Sequence, residues 1–341
     1  MMVKYHWWLA SAISSAMMLG VAAASGLVAL AHRFVAELSC PGVPLDGADL
    51  LWDGWERPDP ELEPPACMQR RLSFRASGGP CLCGDFWAQP QPAPTIVICH
   101  GYRVDRTHLR AVAALEYAHG YNILLFDFRG HGESEHAIIS GGNVEVHDLE
   151  AALDVAAQQP ETLPGKVLIH GFSMGAAVAL LTRPRPEVAA IVADSPYARL
   201  DEILVQLVSR KLAMAGATWG RPFCYLRAGF PALARATVVV SEIIFRLRYR
   251  CALCMRPDSS FRRWEHVQRA RYIPVLLIHA RHDPLISIEH ARRIAIAAQA
   301  SHIPLETYFV DSDSHCGAYR YDPQGYIAAL KGFIARYVRC F

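Results

Sequence analysis

Six short apolar runs constrain this fold more than any other feature of the chain. They occupy 95–99, 122–126, 166–169, 189–193, 273–278 and 305–310. Each is mostly apolar and has the length of a buried strand. Stretches of helical periodicity separate most of them, for example 109–118 and 144–159. Continuous apolar strands alternating with helices predict a parallel sheet covered on both sides. Two further runs, 69–76 and 81–88, joined through Gly78-Gly79-Pro80, read as an antiparallel pair leading into it. At the end of the chain, apolar residues at 326, 330, 333, 334, 337 and 338 mark a helix with one face on the sheet. The expected class is therefore α/β, a mostly parallel, doubly wound sheet.

The third parallel run leads into Gly171-Phe172-Ser173-Met174-Gly175 and then an apolar helical segment. Strand, G-x-S-x-G, helix is the pattern of a nucleophile elbow, which exposes Ser173 at the top of a sheet. Gly171 and Gly175 are required because side chains there would collide with the neighbouring strand and helix. The other strands end in equally distinctive loops: His100-Gly101-Tyr102, Asp127 to Gly132, Asp194-Ser195-Pro196, His282-Asp283-Pro284 and Asp313-Ser314-His315. Open α/β sheets place their sites at the carboxyl ends of strands, so the partners of Ser173 belong in these loops.

A serine hydroxyl needs a base, usually histidine, and the base needs an orienting carboxylate. His315 follows the last expected strand and Asp283 the penultimate one, giving the order Ser173, Asp283, His315. Asp194, which ends the strand after the elbow, competes for the acid role. Among other histidines, His279 and His282 flank Asp283 too closely to be its partner. His170 and His131 read as structural. The backbone N–H groups of Tyr102 and Met174 are the expected oxyanion hole, supported by His100 and Gly101.

From about Gln69 onward the chain resembles the α/β-hydrolases, and is most similar to their membrane-anchored, BEM46-like and serine-aminopeptidase-like (S33-type) branch. The motifs carrying the likeness are His100-Gly101, Asp127 to Ser134, Gly171 to Gly175, Asp194 to Pro196, Asp283 and His315. Ala280 stands where that branch usually has glycine. The resemblance implies a serine hydrolase without metal or cofactor, acting on an ester, thioester or peptide bond. Carboxyl ester or thioester cleavage of a small or lipid-like acyl substrate leads. Peptidase or amidase action on the same residues, or an idle scaffold serving as a membrane receptor or binding module, are the alternatives.

Composition bears on the two ends of this plan. Residues 9–31 carry no charge and are long enough for a spanning helix. A single-pass anchor is expected there, with a slight lean to an extracytoplasmic catalytic domain; a cleaved signal peptide or a buried helix are the other readings. The expected organisation is an anchor over 1–36, a Pro-rich acidic linker over 37–66, and a hydrolase domain over 67–341. Residues 195–272 form an insertion expected to be a helical lid. It holds fourteen Lys and Arg against five Asp and Glu, so its +9 contrasts with +2 for the whole chain. A basic, aromatic lid suits an anionic membrane surface, an anionic substrate or simply a solvated cap. No recognition motif for nucleic acid accompanies the charge. The ten cysteines lack paired zinc spacing, and Cys251 and Cys254 form a lone C-x-x-C.

Overall fold

A computed structural model describes residues 22–40, 63–218, 229–267 and 273–338. Eight strands form one sheet: β1 Gln69–Arg75, β2 Cys81–Trp87, β3 Ala93–Cys99, β4 Asn122–Phe126, β5 Thr162–Phe172, β6 Val188–Asp194, β7 Val275–Ala280 and β8 Leu305–Val310. Their order is β1-β2-β4-β3-β5-β6-β7-β8. The β1–β2 and β2–β4 pairings are antiparallel, and every pairing from β4 through β3 to β8 is parallel. The order reverses at β3, so the loops after β3 and β5 open beside each other.

Alternate residues of each central strand feed two different cores, as the two-residue period of a pleated strand requires. Val97, Leu124, Ile169, Ile191 and Leu277 face one way. They meet α3 Glu145–Ala157, α4 Met174–Leu181, α7 Ser260–Val267 and α8 Ile288–Ala300. Ile98, Leu125, Leu168, Val192 and Ile278 face the other way, onto α2 Arg110–Ala118 and α10 Pro323–Tyr337. Strands buried on both sides have no polar face to show. This is why their sequences read as unbroken apolar runs.

Ion pairs tie the loops above the sheet together. The Arg106 guanidinium, buried behind the end of β3, pairs with Asp127 after β4, with Asp85 at 2.8 Å and with Glu133 at 2.6 Å. Asp127 is fully buried and also accepts the amides of Arg106 (2.8 Å) and Glu133 (2.9 Å). Arg129 likewise grips the buried Asp148 of α3, its Nη2 lying 2.6 Å from Oδ1.

Contacts divide the chain into two compact units. One comprises the sheet and its helices. The other joins the N-terminal segment up to Ser39 with Leu204–Ala252. In that second unit, α1 (22–39) packs beside α6 Phe230–Tyr249. Ser241 Oγ donates to the Ala31 carbonyl at 3.4 Å, Ser39 Oγ lies 3.4 Å from Tyr249 Oη, and Lys211 pairs with Glu37. Ala31, Phe34 and Val35 are buried, as are Ala234, Val238 and Phe245 of α6. Val239, Ile243 and Leu247, four residues apart, line the exposed side of α6. Helix α5 Leu200–Thr218 crosses from one unit to the other.

The expected membrane-spanning helix over 9–31, and with it the single-pass membrane location, needs correction. No helix among the described residues is long and apolar enough to cross a membrane. Residues 9–21 lie outside the described residues. The remainder, 22–31, continues without a break into His32, Arg33 and Glu37 of the same helix. The buried residues of α1, Ala31, Phe34, Val35 and Ser39, lie in its second half and pack within its own unit.

The Arg106 knot generates a stability prediction. Arg106→Met leaves the Asp127 carboxylate buried without its cation, which costs about 3–5 kcal/mol. Urea unfolding should show that loss. A change below about 1 kcal/mol, the scale of an exposed pair, would contradict the structural weight given to this residue.

Candidate active site

Strand β5 ends at Phe172, and Ser173 adopts φ 52° and ψ −113° before α4 begins. A non-glycine residue with positive φ is strained, and such strain concentrates at functional sites. Four of the six positive-φ non-glycine residues among those described sit in loops at the carboxyl ends of strands: Arg103, Ser173, Ser195 and Cys316. The turn is too tight for side chains at either glycine. A Cβ on Gly171 would lie 2.5 Å from the Gly175 carbonyl oxygen. One on Gly175 would overlap the Cys99 carbonyl and come within 2.7 Å of the His100 oxygen. The Ser173 amide donates to the Asp194 carbonyl at 2.9 Å, fixing the elbow to β6.

The structure brings Ser173, His315 and Asp283 into one hydrogen-bonded chain. His315 Nε2 is 2.9 Å from Ser173 Oγ, and its Nδ1 is 2.7 Å from Asp283 Oδ2. Ser173 is partly exposed, whereas His315 and Asp283 are buried. Asp283 Oδ1 accepts the amides of Leu285 (2.8 Å) and Ile286 (2.9 Å). Burial pushes the Asp283 carboxyl upward. The charge and hydrogen bond of His315, with His279 and the Ile286 amide, outweigh it and hold the carboxyl below its usual value. The Nδ1 hydrogen therefore points at the carboxylate, and Nε2 is left to accept from Ser173.

Asp194, the competing acid, does not bond His315. Its side chain is fully buried and takes the Ser195 hydroxyl at 2.8 Å and the Tyr326 hydroxyl at 3.2 Å. His279 Nε2 donates to the Ile286 carbonyl at 2.8 Å, and His282 pairs with the exposed Asp311 at 2.8 Å. His170 lies between Glu116 Oε1 at 2.6 Å and Tyr326 Oη at 3.0 Å.

The loop after β3 reaches Ser173 directly, since a Cβ on Gly101 would touch the Ser173 Cβ at 3.4 Å. Two imidazoles hold this loop. His100 Nε2 accepts the Phe128 amide at 2.9 Å, and its Nδ1 donates to the Gly101 carbonyl at 2.7 Å. His131 Nε2 accepts the Arg103 amide at 3.1 Å, and its Nδ1 donates to the Arg129 carbonyl at 2.9 Å. Burial, the largest cause in each case, pushes the two rings down to about 4 and about 3. Tyr102 sits within the loop they hold. Met174 opens α4, where the first amides lack intrahelical acceptors and the helix dipole is positive. The part played by His131 in supporting the loop beside Tyr102 was visible in sequence only as a histidine in a Gly-rich turn.

Two outcomes follow from this geometry. Gly175→Ala must push the elbow off the end of β3. It should cost about 1–3 kcal/mol or more and displace Ser173; wild-type stability in thermal unfolding would refute the close fit. The second outcome concerns acid. An unfolded aspartate titrates near ~3.9 and folded Asp283 lower. Its contribution is thus fully present above about pH 4 and disappears as pH falls through the folded value. Asp283→Asn should therefore flatten the loss of stability between about pH 5 and pH 2 in urea unfolding. An unchanged slope would show that this carboxyl is not held down.

Comparison with known proteins places this geometry in a family. A family model described as serine aminopeptidase, S33, matches residues 90–309, more than half of the chain. The uncharacterized protein YqkD of Bacillus subtilis strain 168 is 26% identical over 256 residues, 72% of each chain. A monoacylglycerol lipase of Mycolicibacterium smegmatis is 30% identical over 132 residues, 36% of this chain and 45% of that protein. Among solved structures, the Pyrococcus furiosus esterase Pf2001 aligns with a TM-score of 0.57 at 22% identity, covering 79% of this chain and 91% of its own. An esterase from Exiguobacterium antarcticum aligns at 0.52 with 15% identity, covering 78% and 100%. At such identities the structural likeness speaks for the fold alone. The family match spans the sheet from the approach to β3 into β8 and includes the elbow, and by it the chain belongs to the serine aminopeptidase S33 family of α/β-hydrolases.

Proposed function

We propose that the chain is a serine hydrolase that cleaves a carboxyl ester or thioester through Ser173, His315 and Asp283. The observation that supports this most is the continuous bond chain of 2.9 and 2.7 Å from Ser173 Oγ through His315 to Asp283. In this reading Ser173 Oγ attacks the acyl carbon while His315 Nε2 takes its proton. Asp283 keeps the Nδ1 hydrogen in place and stabilises the imidazolium without taking the proton. The backbone N–H groups of Met174 and Tyr102 receive the oxyanion. Collapse of the tetrahedral intermediate breaks the bond to the leaving alcohol or thiol, which takes the proton from His315. Water then attacks the acyl-enzyme by the same route and releases the acid.

The named activities of the M. smegmatis lipase and the two esterases favour an acyl ester as substrate. Amide or peptide cleavage is the second reading, favoured by the family's description as a serine aminopeptidase. In the same proposal, 67–341 is the hydrolase domain. The 195–272 insertion supplies specificity rather than chemistry, since Ser173, Asp283 and His315 all lie outside it.

Covalent labelling tests the nucleophile. A fluorophosphonate probe should label the wild type once, at Ser173, and Ser173→Ala should abolish labelling; stoichiometric labelling of that variant elsewhere would reject the assignment. A panel of p-nitrophenyl esters of graded length, set beside peptide p-nitroanilides, decides ester against amide. Asp283→Asn should lower kcat by roughly 10³–10⁴-fold.

A further inference from the structure

We propose that Asp194 is a positioning residue of this site. Its main-chain carbonyl fixes the nucleophile's amide, and its carboxylate provides a second buried negative charge behind His315. Tyr326, His170 and Glu116 hold that carboxylate in place. The inference rests on the serine-hydrolase reading and extends it to four residues that reading leaves without a role.

The groups concerned lie on different elements and converge beneath the elbow. Glu116 comes from α2, His170 from β5, Asp194 from the end of β6 and Tyr326 from α10. All four are essentially inaccessible, at 1%, 0%, 0% and 0% exposure. Burying two carboxylates is expensive unless each is bonded. Here they are linked in a line: Glu116 Oε1 to His170 Nδ1 at 2.6 Å, His170 Nε2 to Tyr326 Oη at 3.0 Å, and Tyr326 Oη to Asp194 Oδ2 at 3.2 Å. Asp194 Oδ1 takes the Ser195 hydroxyl at 2.8 Å.

When Asp194 is ionised, the order of donors along this line follows. An ionised Asp194 accepts only, so Tyr326 donates its hydroxyl hydrogen to it. The Tyr326 oxygen then accepts from His170, whose Nε2 must carry hydrogen. One proton remains in the short bond between His170 and Glu116. Whichever partner holds it, that pair carries no net charge. With Asp194 ionised, the line as a whole carries one negative charge, and it resides on Asp194.

Two connections carry this charge to the site. The Asp194 carbonyl accepts the Ser173 amide at 2.9 Å, so any shift of Asp194 moves the nucleophile. On the other side, the loop after β8 places Cys316 Sγ 3.6 Å from His315 Nε2, and the Asp194 charge acts on both of these residues. Ser195 and Cys316 both hold strained backbones, with φ of 54° and 56°. The ring of Phe172, next to Ser173 in sequence, lies 4.4 Å from that of His170 and couples the line to the elbow. When His315 takes the Ser173 proton it becomes an imidazolium. Asp283 faces that cation at one nitrogen, and Asp194 attracts it from beneath through a medium of low polarity.

The titratable groups facing Asp194 are His170 on β5, Tyr326 on α10, and His315 with Cys316 in the loop after β8. Burial, the dominant cause, pushes the Asp194 carboxyl up to about 6, against the pull of Ser195, His170, His315 and Tyr326. Its ionisation therefore falls within the range in which a hydrolase is assayed.

The test uses the full chain, p-nitrophenyl butyrate hydrolysis and the rate of fluorophosphonate inactivation, each followed across pH. Asp194→Asn should lower kcat about tenfold with KM unchanged. The wild-type acid limb should contain a step of similar size near the Asp194 ionisation, and Asp194→Asn should lack it. Tyr326→Phe keeps the carboxylate but removes a donor to its charged form, so the step should persist and move to higher pH. This second variant serves if Asp194→Asn fails to fold. A purely structural role would lower activity without changing the shape of the profile. Superimposable profiles, or a rise in KM with kcat intact, overturn the role of Asp194 while labelling at Ser173 leaves the hydrolase reading standing. Absence of wild-type labelling at Ser173 overturns both.

Discussion

The contact between the first turn of α4 and the end of β3 sets the geometry of the whole upper face of the sheet. At Gly175 the helix backbone lies against the carbonyls of Cys99 and His100, with no room for a Cβ. That distance fixes how low the elbow sits between β3 and β5. A lower elbow brings the loop at Gly101 against Ser173, and the same drop lets the Ser173 amide reach the Asp194 carbonyl on β6. The loops carrying Asp283 and His315 need then bridge only the remaining strands. Positive φ at Ser173 follows from this closeness, because a chain leaving β5 must reverse within one residue to enter α4. The strain is tolerated because glycines on both sides remove the competing contacts.

Buried carboxylates around this face are satisfied in two different ways. Asp127 and Asp148 lie under loops that need only be held, and each is clamped by a guanidinium, Arg106 or Arg129. Asp283 and Asp194 flank the proposed reacting residues. Amides and an imidazole hold the first, and two hydroxyls the second. The difference has an electrostatic reason. A guanidinium is a permanent positive charge and would oppose formation of a cation on His315. Neutral donors satisfy the lone pairs of a carboxylate yet leave its field intact for the imidazole.

The sequence is legible where burial is uniform and obscure where it is not. Strand β4, buried at all five positions, coincides with its run; β8 also coincides with 305–310, though Glu306 and Thr307 interrupt the run and only Val310 is buried. The run at 166–169 marks less than half of β5, which spans Thr162–Phe172. After the buried Thr162, Leu163 to Lys166 are partly buried or exposed and the register is irregular there, so no continuous apolar signal covers them. In β7 the strand extends through His279, a fully buried polar residue that looks like a loop when read in sequence. At the site, Ser173, Asp283 and His315 could be singled out because each follows a strand and their order is informative. Asp194 could not be told from Asp283 by that rule, since one ends a strand and the other closely follows one. What separates them is which carboxylate reaches His315 Nδ1, and loop geometry decides that. Glu116, His170 and Tyr326 each stand alone within an apolar pattern and touch only in three dimensions. The N-terminal segment misled for a related reason. Absence of charge does not report burial: residues 22–30 of α1 are exposed or partly exposed, and the helix meets α6 of the same unit through Ala31 and Ser39 near its other end.

The imidazoles near Ser173 show how one side-chain type serves opposite ends. His100 and His131 each accept a main-chain amide at Nε2, the atom that protonation would occupy. Charging either ring would turn that acceptor into a donor aimed at another donor, and the loop beside Tyr102 would lose a tether. Burial keeps both rings neutral far below neutral pH, so the loop is held by groups whose charge does not change. His315 meets the reverse arrangement. Its Nδ1 faces a carboxylate, and its Nε2 faces a hydroxyl that can give up its hydrogen. A proton arriving at Nε2 breaks no main-chain bond and meets negative charge on the far side of the ring. What each ring nitrogen touches thus suits His315 to the proposed proton transfer, and suits His100 and His131 to holding the neighbouring backbone with a charge that does not change.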